Sequence, residues 1–381
     1  MEEDDESKIH IIIDNGSCYI KAGYSGEADP RTIFPSIVGY PKYDMVIHGG
    51  NKKDFFVGES AEYNRGILKL NYPIEDGVIK NWEEMEIIWG YIFTIELHVA
   101  PEDHNIMITE CSKYPKENRK KMAEIMFETF KVNGLYIANP GELNVLSAGI
   151  YTGISVDLGD GVSKFIPVFD GISVPNAIIL NNFGGREMTE YMIKNLLESG
   201  YSFYTSAEKE IAKNIKEKAC YVGLDLEKEL ENVKPFDYEL PDGNHLIIKD
   251  QRIKCPEILF RPEMIKNIKL KDDICSIAEA CFNSIQKCDS DKRKDLYNNI
   301  VLSGGTSILN GLAERFEREI KAFASESMKE EVKVITSPKR EFFTWIGGSI
   351  LSSISYFENK WITKSEYEES GENIVHKKCI I

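Results

Sequence analysis

The chain has 381 residues, of which 62 are acidic and 46 basic, giving a formal net charge of −16. This length suits a bilobed unit or two domains rather than one ordinary core, and a hydrophobic share of 42% excludes wholesale disorder. The acidic balance argues against sequence-independent nucleic-acid binding, because such binding neutralises phosphates with lysine and arginine.

Membrane insertion and structural zinc are also not expected. No apolar run approaches the roughly 18 residues that predict a membrane span, and the acidic run at residues 2–6 is unlike the basic start of a secretory signal. The eight cysteines and six histidines show no CxxC or HxxxH spacing. We therefore interpret the cysteines as reduced thiols and expect a soluble, cytoplasmic protein.

Short apolar runs alternate with helical patterns along the chain, which favours an α/β architecture. Residues 9–13 predict a strand, residues 115–130 predict a helix, and Thr205 with Glu208 forms a capping box that predicts another helix start. Residues 238–248 contain a Pro-Asp-Gly turn and predict a hairpin. No proline-, glycine- or serine-rich linker divides the chain, so we expect two lobes to be closely connected rather than to be separate domains in sequence.

Two segments far apart in the chain repeat one pattern, in which an apolar strand ends in aspartate and enters a glycine turn. Residues 10–17 carry it around Asp14, and residues 154–161 carry it around Asp157. Two such hairpins facing each other can cradle a polyphosphate with backbone N–H groups, while the paired carboxylates hold a divalent cation through waters. Asp-Gly turns end strands in many proteins, so only the pair favours phosphate binding.

Two further glycine pairs follow. Residues 299–306 predict a strand that runs into Gly304 and Gly305, a shape suited to backbone contact with a nucleotide, although the same device often serves packing. For Gly347 and Gly348 we favour close packing of the backbone alone.

Together these residues make the chain similar to a known family: it resembles actin from Asp14 to Cys379. The matching stretches are residues 34–39, 72–75, 125–130, 215–218, 293–297, 301–306, 345–351 and 374–376. The resemblance implies a duplicated, ribonuclease-H-like α/β fold, shared with hexokinase and chaperone ATPases, with ATP or ADP and a Mg or Ca ion in a cleft between two lobes. It also implies polymerisation with itself or other actin subunits, in a cytoplasmic cytoskeleton that serves cell motility.

The resemblance carries over to particular positions. It implies an outer lobe of residues 1–143 and 343–381, containing a mobile loop at 43–56, and an inner lobe of residues 144–342. It places a water-mediated metal site at Asp14 and Asp157. The implied nucleotide-binding positions are Asp14, Gly16, Ser17 and Lys21 on the first loop, Asp157, Gly159, Asp160, Gly161 and Val162 on the second, Gly185 and Arg186 beside the cleft, Lys216 and Glu217 near the ribose and base, and Gly304, Gly305 and Thr306 on the third loop.

Two departures from the family pattern lie at positions that the resemblance places near the water that attacks ATP. Pro140 stands where actins usually carry a glutamine that orients this water, and proline has neither a side-chain donor nor a backbone N–H. Lys164 stands where the family normally has histidine, and lysine is a poor base unless its pKa is strongly lowered. Asp157, Lys164 and Pro140 are the candidate catalytic positions, and we expect ATP to be hydrolysed very slowly.

Other departures lie near the nucleotide and on the surface. Cys18 follows Ser17 at a position where actins have glycine, and we interpret this cysteine as tolerated rather than redox-active. Near the base, Glu341 replaces a lysine and Leu309 replaces a tyrosine. Asp76 replaces a histidine, and charged residues 266–273 fill the segment that normally makes an apolar cross-strand plug. The acidic residues 2–6 either steer a basic partner such as myosin or are simply solvated.

The resemblance also implies a groove for actin-binding helices. The positions that match it are Gly149, Ile346, Ile350, Leu351 and Ile354, and the departures are Leu146, Tyr151 and Lys360. We expect an ATP-binding filament subunit. The alternative, favoured by the plug segment and Lys360, is a non-polymerising actin-related subunit of a larger assembly; a kinase of the same superfamily has no support beyond the shared phosphate loops.

Overall fold

The computed structural model describes residues 9–42, 54–110, 115–265 and 274–379. The strands, in chain order, are β1 (Ile11–Asn15), β2 (Tyr19–Tyr24), β3 (Thr32–Pro35), β4 (Val38–Pro41), β5 (Phe56–Val57), β6 (Leu68–Asn71), β7 (Ile74–Glu75), β8 (Val78–Ile79), β9 (Asn105–Thr109), β10 (Gly134–Ala138), β11 (Gly153–Leu158), β12 (Ser163–Phe169), β13 (Ile172–Ser173), β14 (Ile179–Asn181), β15 (Phe236–Glu239), β16 (His245–Ile248), β17 (Ile300–Ser303), β18 (Val334–Ile335) and β19 (Ile362–Thr363).

The helices surround these strands. The α-helices are α1 (Glu59–Tyr63), α2 (Trp82–Tyr91), α3 (Lys116–Glu124), α4 (Pro140–Ser147), α5 (Gly185–Glu198), α6 (Ser206–Ala219), α7 (Leu226–Glu231), α8 (Gln251–Glu257), α9 (Ile277–Gln286), α10 (Arg293–Asn298), α11 (Leu312–Phe323), α12 (Glu326–Lys329), α13 (Phe343–Ser352), α14 (Lys364–Ser370) and α15 (Val375–Lys378). The 3₁₀ segments are Pro101–Asp103, Pro175–Ala177, Pro262–Met264, Gly305–Ile308, Arg340–Phe342, Ser355–Lys360 and Gly371–Ile374. Within the described ranges, no helix is both long enough and apolar enough to cross a membrane.

The two largest sheets share one topology. In the first, antiparallel strands β3, β2 and β1 are followed by β9 and β10, which run parallel to β1, and β19 is added at the edge. In the second, antiparallel strands β13, β12 and β11 are followed by parallel β17 and β18, with β14 also paired to β12. Three antiparallel strands followed by two parallel strands occur twice, so the predicted duplicated α/β fold is confirmed.

Most of the predicted elements are present, with shifted ends. The capping box of Thr205 and Glu208 begins α6, and β15 and β16 form the hairpin predicted over residues 238–248. The strand expected at 9–13 runs instead from Ile11 to Asn15, because Asp14 and Asn15 still pair with β2. The helix expected at 115–130 is α-helical only to Glu124 and ends in a π-helical turn, Ile125–Thr129.

Two helices, α4 and α13, pack against each other between the two sheets. A β-carbon built on Gly347 of α13 would lie 2.0 Å from the carbonyl oxygen of Leu143 on α4, and one on Gly348 would lie 2.9 Å from Ile12 Cγ2. The Trp345 indole N–H donates to the Ile12 carbonyl oxygen at 3.2 Å. The close backbone packing expected for this glycine pair is therefore present. The proposed lobe boundaries, which fall inside α4 and at the start of α13, stay a prediction.

This packing predicts that Gly347→Ala destabilises the protein although alanine is the better helix former. Overpacking of a tight contact costs about 1–3 kcal/mol, which exceeds the gain of roughly 0.5–1 kcal/mol from replacing a helical glycine. Urea unfolding measures the difference. Gly66→Ala is the control, because a β-carbon there meets no atom within 4 Å. Equal stability of Gly347→Ala and the wild type would contradict the packing argument.

Candidate functional site

A cavity of about 520 Å³ lies between the two aspartate hairpins. This volume is within the range of cofactor sites, roughly 300–1,000 Å³. Apart from Gly185 and Arg186, every site position expected from the sequence lines it: Asp14, Gly16, Ser17, Lys21, Pro140, Asp157, Gly159, Asp160, Gly161, Val162, Lys164, Lys216, Glu217, Gly304, Gly305 and Thr306. Residues from both large sheets therefore meet at one place.

The first hairpin holds an ion pair. Asp14 on β1 lies directly opposite Lys21 on β2, and Lys21 Nζ donates to Asp14 Oδ2 at 3.1 Å. The Thr109 hydroxyl on the neighbouring strand β9 donates to the other carboxylate oxygen at 2.9 Å. Asp14 is thus fixed from two sides at the edge of the cavity.

The second hairpin holds the same pair in the same register. Asp157 on β11 lies directly opposite Lys164 on β12, and Lys164 Nζ donates to Asp157 Oδ2 at 2.7 Å. The ion pair of Lys164 with Asp157, and its match to the pair of Lys21 with Asp14, were not predicted from the sequence. The signal was present in the chain, since each aspartate is followed by a lysine seven positions later.

Glycines bring the loops of the second sheet close together. Gly304 has φ +86°, and a β-carbon there would lie 2.5 Å from Asp157 Oδ1. The Thr306 hydroxyl donates to the Gly159 carbonyl at 2.9 Å, and buried Lys216 donates to the Gly185 carbonyl at 2.9 Å. Gly185 lies just behind the cavity wall. Lys216 and Thr306 therefore join the loops to one another as well as lining the cavity.

Pro140 occupies the first position of α4. The Asn139 side chain caps this helix by accepting from the Gly141 N–H at 3.0 Å. Proline is well tolerated at a first helical position, because its missing N–H would have no partner within the helix. The buried ring therefore fits the fold without strain and presents no hydrogen-bonding group to the cavity.

Cys18 and two residues on the base side also line the cavity. Burial raises the pKa of the Cys18 thiol to about 12, so the thiol is protonated at neutral pH. This agrees with its interpretation as a tolerated residue, because the thiolate is the reactive form. Glu341 and Leu309 lie in the cavity wall, as expected from the sequence.

Contacts between residues far apart in the sequence connect the two sides of the cleft. Asp76 Oδ1 lies 3.3 Å from Arg186 Nη1, and the Tyr72 hydroxyl donates to Glu210 at 2.6 Å. Beside them, the Gly77 N–H donates to the Ser17 hydroxyl at 3.1 Å. Nothing in the local sequence pattern indicated the two long-range pairs.

A second polar link runs from the cavity to the end of the chain. Glu110, which lines the cavity, pairs with buried Arg119 on α3. Arg119 Nη1 also donates to the carbonyl oxygen of Cys379 at 2.8 Å. Burial raises the pKa of Glu110 even though the guanidinium lies against it. One arginine thus contacts both the cavity wall and the C-terminal segment.

The surface positions expected from the resemblance are only partly described. Gly149 has φ +76°, Ile346 and Leu351 are half-buried, Ile350 and Ile354 are exposed, and Lys360 Nζ lies 5.7 Å from the ring centre of Tyr356. The acidic run at 2–6, most of the loop 43–56 and the plug segment 266–273 lie outside the described residues.

A comparison with known protein families identifies the chain. The family model described as Actin matches residues 5–380. The chain belongs to the actin family. Membership supports the two-lobed fold shared with other nucleotide-binding proteins of this class, and actins generally bind ATP or ADP with a divalent cation. Pro140, Lys164 and Asp76 are then departures from the usual actin residues at positions that this structure places in or beside the cleft.

Glu187 at the start of α5 predicts a pH dependence. Its carboxylate accepts from the Gly184 N–H at 2.8 Å, and burial raises its pKa from 4.5 to about 7. The native state therefore binds this proton more tightly than the unfolded chain, so the contribution of Glu187 to stability falls as pH rises from about 4.5 to 7.

We expect Glu187→Gln to flatten this fall, because the side chain then stays neutral throughout. Thermal unfolding at a series of pH values measures it. Glu190→Gln on the same helix, where the carboxylate pairs with Lys209 at the surface, is the control. If Glu187→Gln keeps the wild-type pH profile, the assignment to Glu187 is wrong.

Proposed function

We propose that this chain binds ATP or ADP with a Mg or Ca ion in the cavity between its two aspartate hairpins. The observation that carries the proposal is the presence of both hairpins and the Gly304 loop on one cavity of about 520 Å³. The residues fit such a ligand, because glycine loops expose backbone N–H groups to phosphate and Lys21 supplies a positive charge. Asp14 and Asp157 would hold the cation through waters, and the cation would neutralise phosphate charge.

We further propose that the chain turns over ATP very slowly. Phosphoryl transfer to water depends on orienting the attacking water. Pro140 cannot orient it, and Lys164 is held by Asp157 in the cavity wall. Loss of one positioned acid–base group typically lowers a rate roughly 10²–10⁴-fold.

The proposed role is a cytoplasmic filament subunit that assembles with itself or with other actin subunits. Family membership supports it, as do the retained groove positions Gly149, Ile346, Ile350 and Leu351, where an actin-binding helix would dock. Myosin is a proposed partner through the acidic residues 2–6. The second candidate is a non-polymerising subunit of a larger assembly, favoured by the exposed charge of Lys360 where actins have an apolar rim residue.

Phosphate release under single-turnover conditions tests the hydrolysis proposal. We expect slow release from the wild type and at least a roughly tenfold faster release from Pro140→Gln, because glutamine restores a side chain that can orient water. Pro140→Ala is the matched control and should stay slow, since it removes the ring without adding a donor. Wild-type release at ordinary actin rates would overturn the proposal.

High-speed sedimentation with ATP and Mg²⁺, with and without ordinary actin, separates the two candidate roles. We expect the chain to enter the pellet, alone or with actin, and a monomeric protein of similar size outside the family controls for trapping. A chain that stays in the supernatant under both conditions would support the assembly-subunit role instead.

A further inference from the structure

We propose that Glu341 recognises guanine, so that GTP or GDP binds in the cavity at least as tightly as ATP or ADP. The proposal rests on the proposed nucleotide site and concerns which base that site accepts. The family resemblance marks Glu341 only as a departure from lysine. Here its carboxylate selects the ligand.

The first support is the course of residues 304–310 along the cavity wall. Near the start of this loop, the Thr306 hydroxyl donates to the Gly159 carbonyl of the second hairpin at 2.9 Å. At its end, the Asn310 carbonyl accepts from the Val222 N–H at 2.8 Å, just beyond α6. The wall therefore runs from the aspartate hairpins, where phosphates would lie, to the end of α6. The side chains that line the cavity at this second end are apolar and suit a planar base: Cys220, Ile308 and Leu309.

The second support is the position of Glu341 beside this loop. The carbonyl oxygen of Arg340 accepts from the Gly304 N–H at 3.2 Å, and the Arg340 guanidinium donates to the carbonyl oxygens of Ser307 and Ser337, each at 2.9 Å. The backbone before Glu341 is thereby fixed along the loop. Glu341 itself is half-buried and lines the cavity.

The third support is the lack of a partner for the Glu341 side chain. In the part of the chain that the structure describes, no residue hydrogen-bonds to its carboxylate or forms an ion pair with it. Two lysines of α6 line the same cavity and point elsewhere: Lys216 donates to the Gly185 carbonyl, and Lys218 Nζ lies 5.7 Å from the ring centre of Tyr238. A carboxylate accepts hydrogen bonds and donates none, so a ligand against Glu341 has to supply the donors.

The bases differ in the donors that they offer to a carboxylate. The Watson–Crick edge of guanine presents N1–H and the 2-amino group side by side, and these match the two carboxylate oxygens. The same edge of adenine presents one donor, the 6-amino group, beside the lone pair of N1, so one carboxylate oxygen would face an acceptor. A site that hydrogen-bonds one ligand discriminates against an analogue that leaves its polar atoms unpaired. Glu341 therefore favours guanine.

Equilibrium binding of ATP and GTP to the full chain, in excess Mg²⁺, tests the proposal. The quantity compared is the ratio of the dissociation constant of ATP to that of GTP. We expect the wild-type dissociation constant of ATP to equal or exceed that of GTP. For Glu341→Gln we expect a ratio lower by about tenfold to a hundredfold, the size expected for one charge-assisted hydrogen bond. Glutamine keeps the size of the side chain, and its amide offers adenine both a donor and an acceptor.

Glu314→Gln is the control, because it removes the same charge from an exposed position on α11 that does not line the cavity. It should leave the ratio unchanged. The proposal is overturned if the wild type binds ATP more tightly than GTP, a readout that stands even if the variant fails to fold. It is also overturned if Glu341→Gln leaves the ratio unchanged, as expected for a contact with the ribose that both nucleotides share. Absence of binding by either nucleotide would instead overturn the proposed function itself.

Discussion

The contact between α4 and α13 sets the distance between the two halves of the molecule. At Leu143 and Gly347 one helix backbone lies against the other, with no room for a β-carbon. Helix α4 follows the last parallel strand of the first sheet and leads toward β11 in the second, while α13 packs on β1. The two aspartate hairpins are therefore held at a separation that leaves one cavity between them. Both the shape of the site and its charge arrangement depend on this contact.

The sequence predicted those parts of the fold that depend on short-range chemistry. The two hairpins around Asp14 and Asp157 and the cap at Thr205 were found, because turn and capping signals lie within a few residues of one another. The two π-helical turns, Ile92–Glu96 and Ile125–Thr129, were not predicted, since the apolar periodicity is nearly unchanged where an α-helix widens. The contacts Asp76–Arg186 and Tyr72–Glu210 join residues more than 100 positions apart, and only the folded chain brings them together.

In the candidate site, too, local features were predicted from the sequence and long-range contacts were not. Its glycines and aspartates were predicted because an internal repeat and the family resemblance both marked them. The ion pair of Lys164 with Asp157 was not predicted, although its spacing matches that of Lys21 with Asp14, because the pairing depends on the register between β11 and β12. The position of Pro140 in the first turn of α4 was likewise found only in the folded chain. What sequence patterns did not give was the arrangement of charge, which depends on distances across the cavity.

Arg119 connects the cavity wall to the segment around Cys379. Its guanidinium holds Glu110 at the cavity wall and the carbonyl of Cys379 near the C-terminus. A ligand that draws Glu110 inward and a partner protein that pulls the last residues outward would compete for the same side chain. By thermodynamic reciprocity, the ligand and the partner would each lower the binding affinity of the other by the same factor. We therefore expect a tag or dye attached close to Cys379 to alter ligand binding in the cavity.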